Sequence, residues 1–120
     1  MTDQASFSMR TQAGALIMDV VGEVDIMNAA DFRSTMSDAA SHDGGPFVIT
    51  LDKLAYFDSQ TLEILVELWK RLNLARRMMV IVAARTTAAR RLLDVSAISS
   101  VIPTLDTVDE ALAAVSSPNP

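Results

Sequence analysis

Three apolar runs constrain this chain more than any other feature. "ALIMDVV" spans 15–21 between Gly14 and Gly22, "PFVITL" spans 46–51 behind the turn-forming "HDGGP", and "MMVIVAA" spans 78–84 after a basic helix end. Runs of this length bounded by turn residues read as buried strands. "FSMRTQ" at 7–12 alternates loosely and reads as an edge strand, and "SVIPTL" at 100–105 as a short fifth strand that Pro103 confines to an edge or a strand end. Helical patterns fill the gaps. Asn28 is expected to cap "AADFRSTMSDAASH", with the Asp31 carboxylate in the first turn favouring the positive helix end. Asp58 precedes a long amphipathic segment, while "TTAARRLLDVSAIS" and "TVDEALAAV" each open on Thr. Strands that come early and then alternate with helices imply an α/β sandwich with a four- to five-stranded mixed sheet and about four helices. At 120 residues, half of them apolar, the chain is one domain, with residues 1–6 and the "SSPNP" of 116–120 expected to be flexible.

Charge narrows the partners. Fifteen Asp and Glu against ten Lys and Arg give a net charge of -5, which disfavours a direct nucleic-acid partner and an anionic membrane surface. With no cysteine, no disulfide framework, thiolate metal site or cysteine nucleophile can form. The opening "MTDQASFSMR" carries neither a basic start nor an apolar run, and no segment is apolar for long enough to span a bilayer, so the expected setting is cytoplasmic.

The helix after Asp58 is the most informative element. A 100° step from Leu62 puts Leu65, Val66, Trp69 and Leu72 on one face, with Ile64 and Leu68 widening the arc to roughly 200°, more than burial against one sheet requires. Ser59, Gln60, Glu63, Glu67, Lys70 and Arg71 fall on the opposite arc, and Glu67 is expected to pair with Arg71 at i,i+4. Thr61 projects toward the apolar side.

The "DSQT" at 58–61 therefore admits three readings: a capped helix start, a nucleophilic Ser59, or a regulatory site. A nucleophile needs a base, and the single histidine, His42, stands in the polar "SHDGGP" stretch; no Gly-x-Ser-x-Gly elbow surrounds Ser59. Glu23 and Asp25 in "VGEVDI" are two carboxylates without His, Cys or an Asp-rich loop, explained as well by a strand-to-helix turn as by a metal. The seven scattered methionines suit core packing, and the basic "KRLNLARR" and "ARRLL" suit solvated helix faces.

Taken together, "GEVDIMNAADF", "VITLDKLAYFDSQTL" and "AARRLLDVSAISSVIPTLDTVDEALA" resemble the STAS domain of bacterial anti-sigma factor antagonists, over residues 7 to 115. Gly22, Glu23 and Asp25 match the family's Gly-Glu-x-Asp turn; Asp58, Ser59 and Leu62 match its Phe-x-Asp-Ser-Ser-Gly-Leu segment; Asp109, Glu110 and Ala111 approximate its last helix. The resemblance implies a non-enzymatic protein without cofactor or metal that binds a serine-kinase anti-sigma factor and so frees a sigma factor. Its oligomeric state stays open, a homodimer included. In the family the second serine of Asp-Ser-Ser-Gly is phosphorylated by that kinase. Gln60 occupies the position here and Thr61 replaces the glycine, so the phosphoacceptor region is Ser59, Gln60 and Thr61 with no hydroxyl at its usual place. Ser59, on the exposed arc, is the nearest substitute. The implied partner-binding residues are Glu23, Asp25, Asp58, Ser59, Gln60 and Glu63. Two competing classes are a STAS scaffold or accessory subunit of a signalling assembly or membrane transporter, and a small hydrolase using Ser59.

Overall fold

The computed structural model describes residues 5–25, 27–42 and 45–116. Its elements are β1 (Ser6–Gln12), β2 (Ala15–Val24), α1 (Ala29–His42), β3 (Phe47–Phe57), α2 (Ser59–Leu74), β4 (Met79–Val82), α3 (Ala88–Val95), a 3-10 turn at Ile98–Ser100, β5 (Thr104–Leu105) and α4 (Val108–Ser116). Residues 1–4 and 117–120, most of the expected flexible ends, lie outside the described residues; Ser6 is the first residue of β1.

The five strands lie in the order β1-β2-β3-β4-β5. β1 and β2 form an antiparallel hairpin, and every later pairing is parallel, which makes the sheet mixed as expected. The hairpin turns on Ala13 and Gly14, both at positive φ (52° and 81°), the combination that follows the strands' right-handed twist. Parallel neighbours that step steadily across a sheet need right-handed crossovers, and those put every connecting helix on the same side. α1, α2 and α3 accordingly share one core with Leu16, Met18 and Val20 of β2, Phe47, Ile49 and Leu51 of β3, and Ile81 of β4. α4 takes the other face, where Ala111 and Leu112 meet Ala15, Ile17, Val48, Val80 and Val82.

β3 runs well past the expected 46–51. Its register against β2 shifts twice, so that Asp19 faces Thr50, Val21 faces Lys53 and Glu23 faces Tyr56: β3 carries two extra residues. Each extra residue rephases the side chains, and Leu51, Leu54 and Phe57 all turn inward at a spacing of three. A period of three matches neither strand nor helix, and hence the second half of β3 is invisible to pattern reading. β2 is also longer than expected, taking Gly22, Glu23 and Val24 from the anticipated turn.

Helix α2 is rotated from its expected setting. Thr61, Ile64, Leu65, Leu68 and Leu72 are buried, while Leu62, Val66 and Trp69 are half-buried at the flank of the core. Nor does Glu67 pair with Arg71. It meets Arg33 of α1, and Arg71 donates to Ser37 Oγ (2.9 Å) and Ser41 Oγ (3.0 Å), because α1 packs alongside and offers partners that sequence spacing does not reveal. Arg77 closes the other end of α1, donating to the carbonyls of Ala40 and Gly45. α3 stops short of the expected length: Ala97 swings to φ 65° and leads into the 3-10 turn. Methionine usage is divided. Met18, Met36 and Met79 are buried, whereas Met9, Met27 and Met78 are exposed, against the expected core role.

Candidate functional site

β2 and β3 are parallel neighbours, and their last registered pair is Val24 with Phe57. The next residues, Asp25 and Asp58, therefore leave the sheet side by side at its C-terminal edge. This register, produced by the two extra residues of β3, joins "GEVD" and "DSQT" although 33 residues separate them.

Asp58 caps α2 from an extended conformation (φ -110°). Its Oδ1 accepts from the backbone N–H of Gln60 (3.1 Å) and of Thr61 (3.2 Å), and the Thr61 hydroxyl lies 3.5 Å away. A carboxylate at this place satisfies amides that the helix leaves unbonded and favours its positive end. Thr61 is fully buried, with a relative exposure of 0%, while Ser59, Gln60 and Glu63 are exposed. The expected division of the first turn, two residues outward and one inward, is the observed one. Ser59 and Glu63, four apart, share a face.

The neighbouring loop is held by the side chains of Asp25 and Asn28. Asp25 Oδ1 accepts from Met27 N (2.9 Å), and the Asn28 side chain reaches back, its Oδ1 accepting from Asp25 N (2.9 Å) and its Nδ2 donating to Glu23 O (2.8 Å). Asn28 stands just before α1 as expected, but these bonds clip the loop to the end of β2. This positioning role was missed by sequence reasoning; a short polar side chain that bonds nearby backbone was the available signal. Glu23 and Asp25 are half-buried. Two exposed apolar side chains were also missed: Met27, 86% exposed within the loop, and Tyr56, 50% exposed and paired in register with Glu23. A flexible thioether and an amphipathic ring suit a protein contact.

The arrangement offers an acidic, partly apolar surface. His42 is the last residue of α1 while Ser59 opens α2, so the one histidine and the serine belong to opposite ends of their two helices. Among the described residues no cluster of metal-ligating side chains occurs, and no helix is long and apolar enough to cross a membrane.

Comparison with known proteins agrees with the fold. An anti-sigma factor antagonist from Mycobacterium paratuberculosis superimposes with a TM-score of 0.83 at 24% identity, over 94% of this chain and 95% of that one. The anti-sigma factor antagonist SpoIIAA in its unphosphorylated form gives 0.73 at 16% identity, over 96% and 100%. The murine anion transporter Slc26a9 gives 0.70 at 13% identity, over 91% of this chain and 19% of the transporter. At such identities the likeness is one of fold. A comparison with curated protein sequences returns no match. The family described as STAS domain matches residues 6–111, and the chain belongs to that family.

Proposed function

We propose that this STAS domain is an anti-sigma factor antagonist: it binds a serine-kinase anti-sigma factor and so releases a sigma factor, without catalysing a reaction or contacting DNA. The observation that carries the reading is the register-driven pairing of the Glu23–Asp25 loop with the first turn of α2. In this reading the partner surface is made of Glu23, Asp25, Asp58, Ser59, Gln60 and Glu63; the register that pairs Val24 with Phe57, and structural neighbours that are anti-sigma factor antagonists, support it. Gln60 holds the phosphoacceptor position in this reading. A phosphate there would be locally favoured by the helix N-terminus. Its effect falls on the partner, whose approach would require desolvating added charge beside Asp25, Asp58 and Glu63. Because an amide accepts no phosphate, binding is constitutive and controlled by the amounts of the two proteins.

Incubating wild type and Gln60→Ser with the cognate kinase and ATP, then measuring intact mass and complex formation on native gels, tests this. Wild type is expected to bind and to stay unmodified or be labelled slowly at Ser59, while Gln60→Ser gains a phosphate and loses affinity. Rapid stoichiometric labelling of wild type at Thr61 would overturn the reading, since that hydroxyl is buried. The transporter-type likeness favours a second reading, an accessory or scaffold subunit, which predicts a transport protein rather than a kinase in a pull-down.

A further inference from the structure

Leu62, Val66 and Trp69 recur at helical spacing down one flank of α2, each half-buried against the edge of the core. They account for the width of the apolar arc that one sheet does not need. The segment from the end of α3 to β5 faces them, and the two form the walls of a groove. Its upper half, about 440 Å³, runs from Ser59 past Val66 to Lys70 and is closed by Ser96 and Ile98. A second hollow of about 500 Å³, with its own lining residues, follows along the same flank from Trp69 to Arg76 past Val101 and Pro103 and makes the lower part. From Ser59 to Arg76 the groove is roughly 25 Å long, the length of a helix of four to five turns. The wall facing α2 adds apolar surface: Val101, which lines the lower part, is 49% exposed, and Leu92, one turn before Ser96, is 40% exposed.

Charge is graded along this groove. Glu63 and Glu67 line its upper part, Lys70 stands in the middle, Arg76 and Arg77 line the lower part, and Asp58 caps the helix just above. Arg76 occupies the left-handed position that ends α2 (φ 59°), with Arg77 N bonded to Leu72 O (2.8 Å) and Arg76 N to Asn73 O (3.0 Å). Glycine is the usual residue in such a stop. An arginine there puts a cation at the groove mouth in spite of an unfavourable backbone.

We propose that this groove receives an amphipathic helix of the anti-sigma partner, lying antiparallel to α2. Soluble helices tend to be acidic at their N-terminus and basic at their C-terminus. Only the antiparallel sense puts a basic C-terminal end beside Glu63 and an acidic N-terminal end beside Arg76, and it also opposes the two helix dipoles. Apolar anchors at i, i+3, i+4 and i+7 of the incoming helix fill the space over Val66, Trp69 and Val101. The identity of the partner rests on the proposed function; the groove and its polarity do not. Ser59 sits at the upper end, so the acidic first turn and the groove form one continuous interface.

Trp69 is the only tryptophan and lines the groove, which makes its emission a direct reporter. In one arm, full-length protein is titrated with a tryptophan-free amphipathic helical peptide of about 18 residues, leucine-faced, with Glu in its N-terminal third and Lys in its C-terminal third. A saturable blue shift is expected, roughly tenfold weaker for the charge-inverted peptide and lost in Val66→Glu. In the other arm, the anti-sigma kinase is bound to Val101→Glu and Arg76→Glu, exposed positions that line the groove and whose folding is checked by thermal melting, and affinity is expected to fall at least about tenfold. Kinase binding that Asp25→Ala and Ser59→Glu weaken but Val101→Glu and Arg76→Glu do not would overturn the groove and spare the proposed function. Peptide binding without kinase binding would do the reverse. A wild-type dimer in sedimentation that shields Trp69 and is split by Val101→Glu would make the groove a self-interface and overturn the docked partner helix.

Discussion

The two faces of the sheet are made by the same strands yet are covered in different ways. Under α1, α2 and α3, the inward side chains of β2 and β3 are apolar from end to end: Leu16, Met18 and Val20 beside Phe47, Ile49 and Leu51. On the other face the rows begin alike, with Ala15, Ile17 and Val48 under α4, and then turn polar at Asp19 and Thr50. There the chain builds a small ladder instead of a core. Arg10 of β1 donates to Asp19 (3.0 Å) and Gln12 (2.8 Å), and the Thr50 hydroxyl donates to Asp19 (2.7 Å). Crossover handedness sends three helices to one side, so one nine-residue helix is left for the other. Strand surface that no helix reaches must satisfy its own polar groups. Partial burial would push the Asp19 carboxyl up, but the hydrogen bonds from Arg10 and Thr50 and the charges of Arg10 and Lys53 outweigh it and hold the group below its ordinary 3.8.

The largest test of this contrast is truncation in the three-helix core. Leu65→Ala, at a fully buried position, is expected to cost about 2–5 kcal/mol in urea unfolding, with Leu112→Ala on α4 near the low end of that range because its site borders solvent. A loss at Leu65 under about 0.5 kcal/mol, typical of surface sites, would show that α2 faces the sheet differently. A middle-sized effect is expected from Asp19→Ala, which leaves Arg10 and Thr50 without their acceptor; with the carboxylate 31% exposed, about 1 kcal/mol is the expected cost. The contribution is pH-dependent. Since the folded pKa lies below the unfolded 3.8, the stabilisation is complete above that value and is lost as pH falls through the lower folded one. The difference between wild type and Asp19→Ala should therefore be constant from pH 7 to about 5 and narrow below 3.8. The smallest effect is predicted at Val21, 39% exposed beside the ladder: Val21→Thr should leave stability within about 0.5 kcal/mol, and a larger loss would mean that this part of the face is covered after all.

What the sequence determined by itself was local. Apolar runs placed the strands, Asp58 and Thr87 marked helix starts that both proved to be side-chain caps, and one turn of helical geometry was enough to send Thr61 inward and leave Ser59 and Gln60 exposed. Each of these signals acts over a few residues, where periodicity and hydrogen bonding are fixed by backbone geometry alone. Tertiary structure decided what depends on partners far away in the chain. It set the two shifts of register that bring Asp25 beside Asp58, and the rotation of α2 that moves Leu62, Val66 and Trp69 from core to groove. It also chose Arg33 over Arg71 as the partner of Glu67. The physical reason is that strand register and helix rotation are settled by the combined packing of opposing surfaces, and no single stretch of sequence carries both sides of that contact.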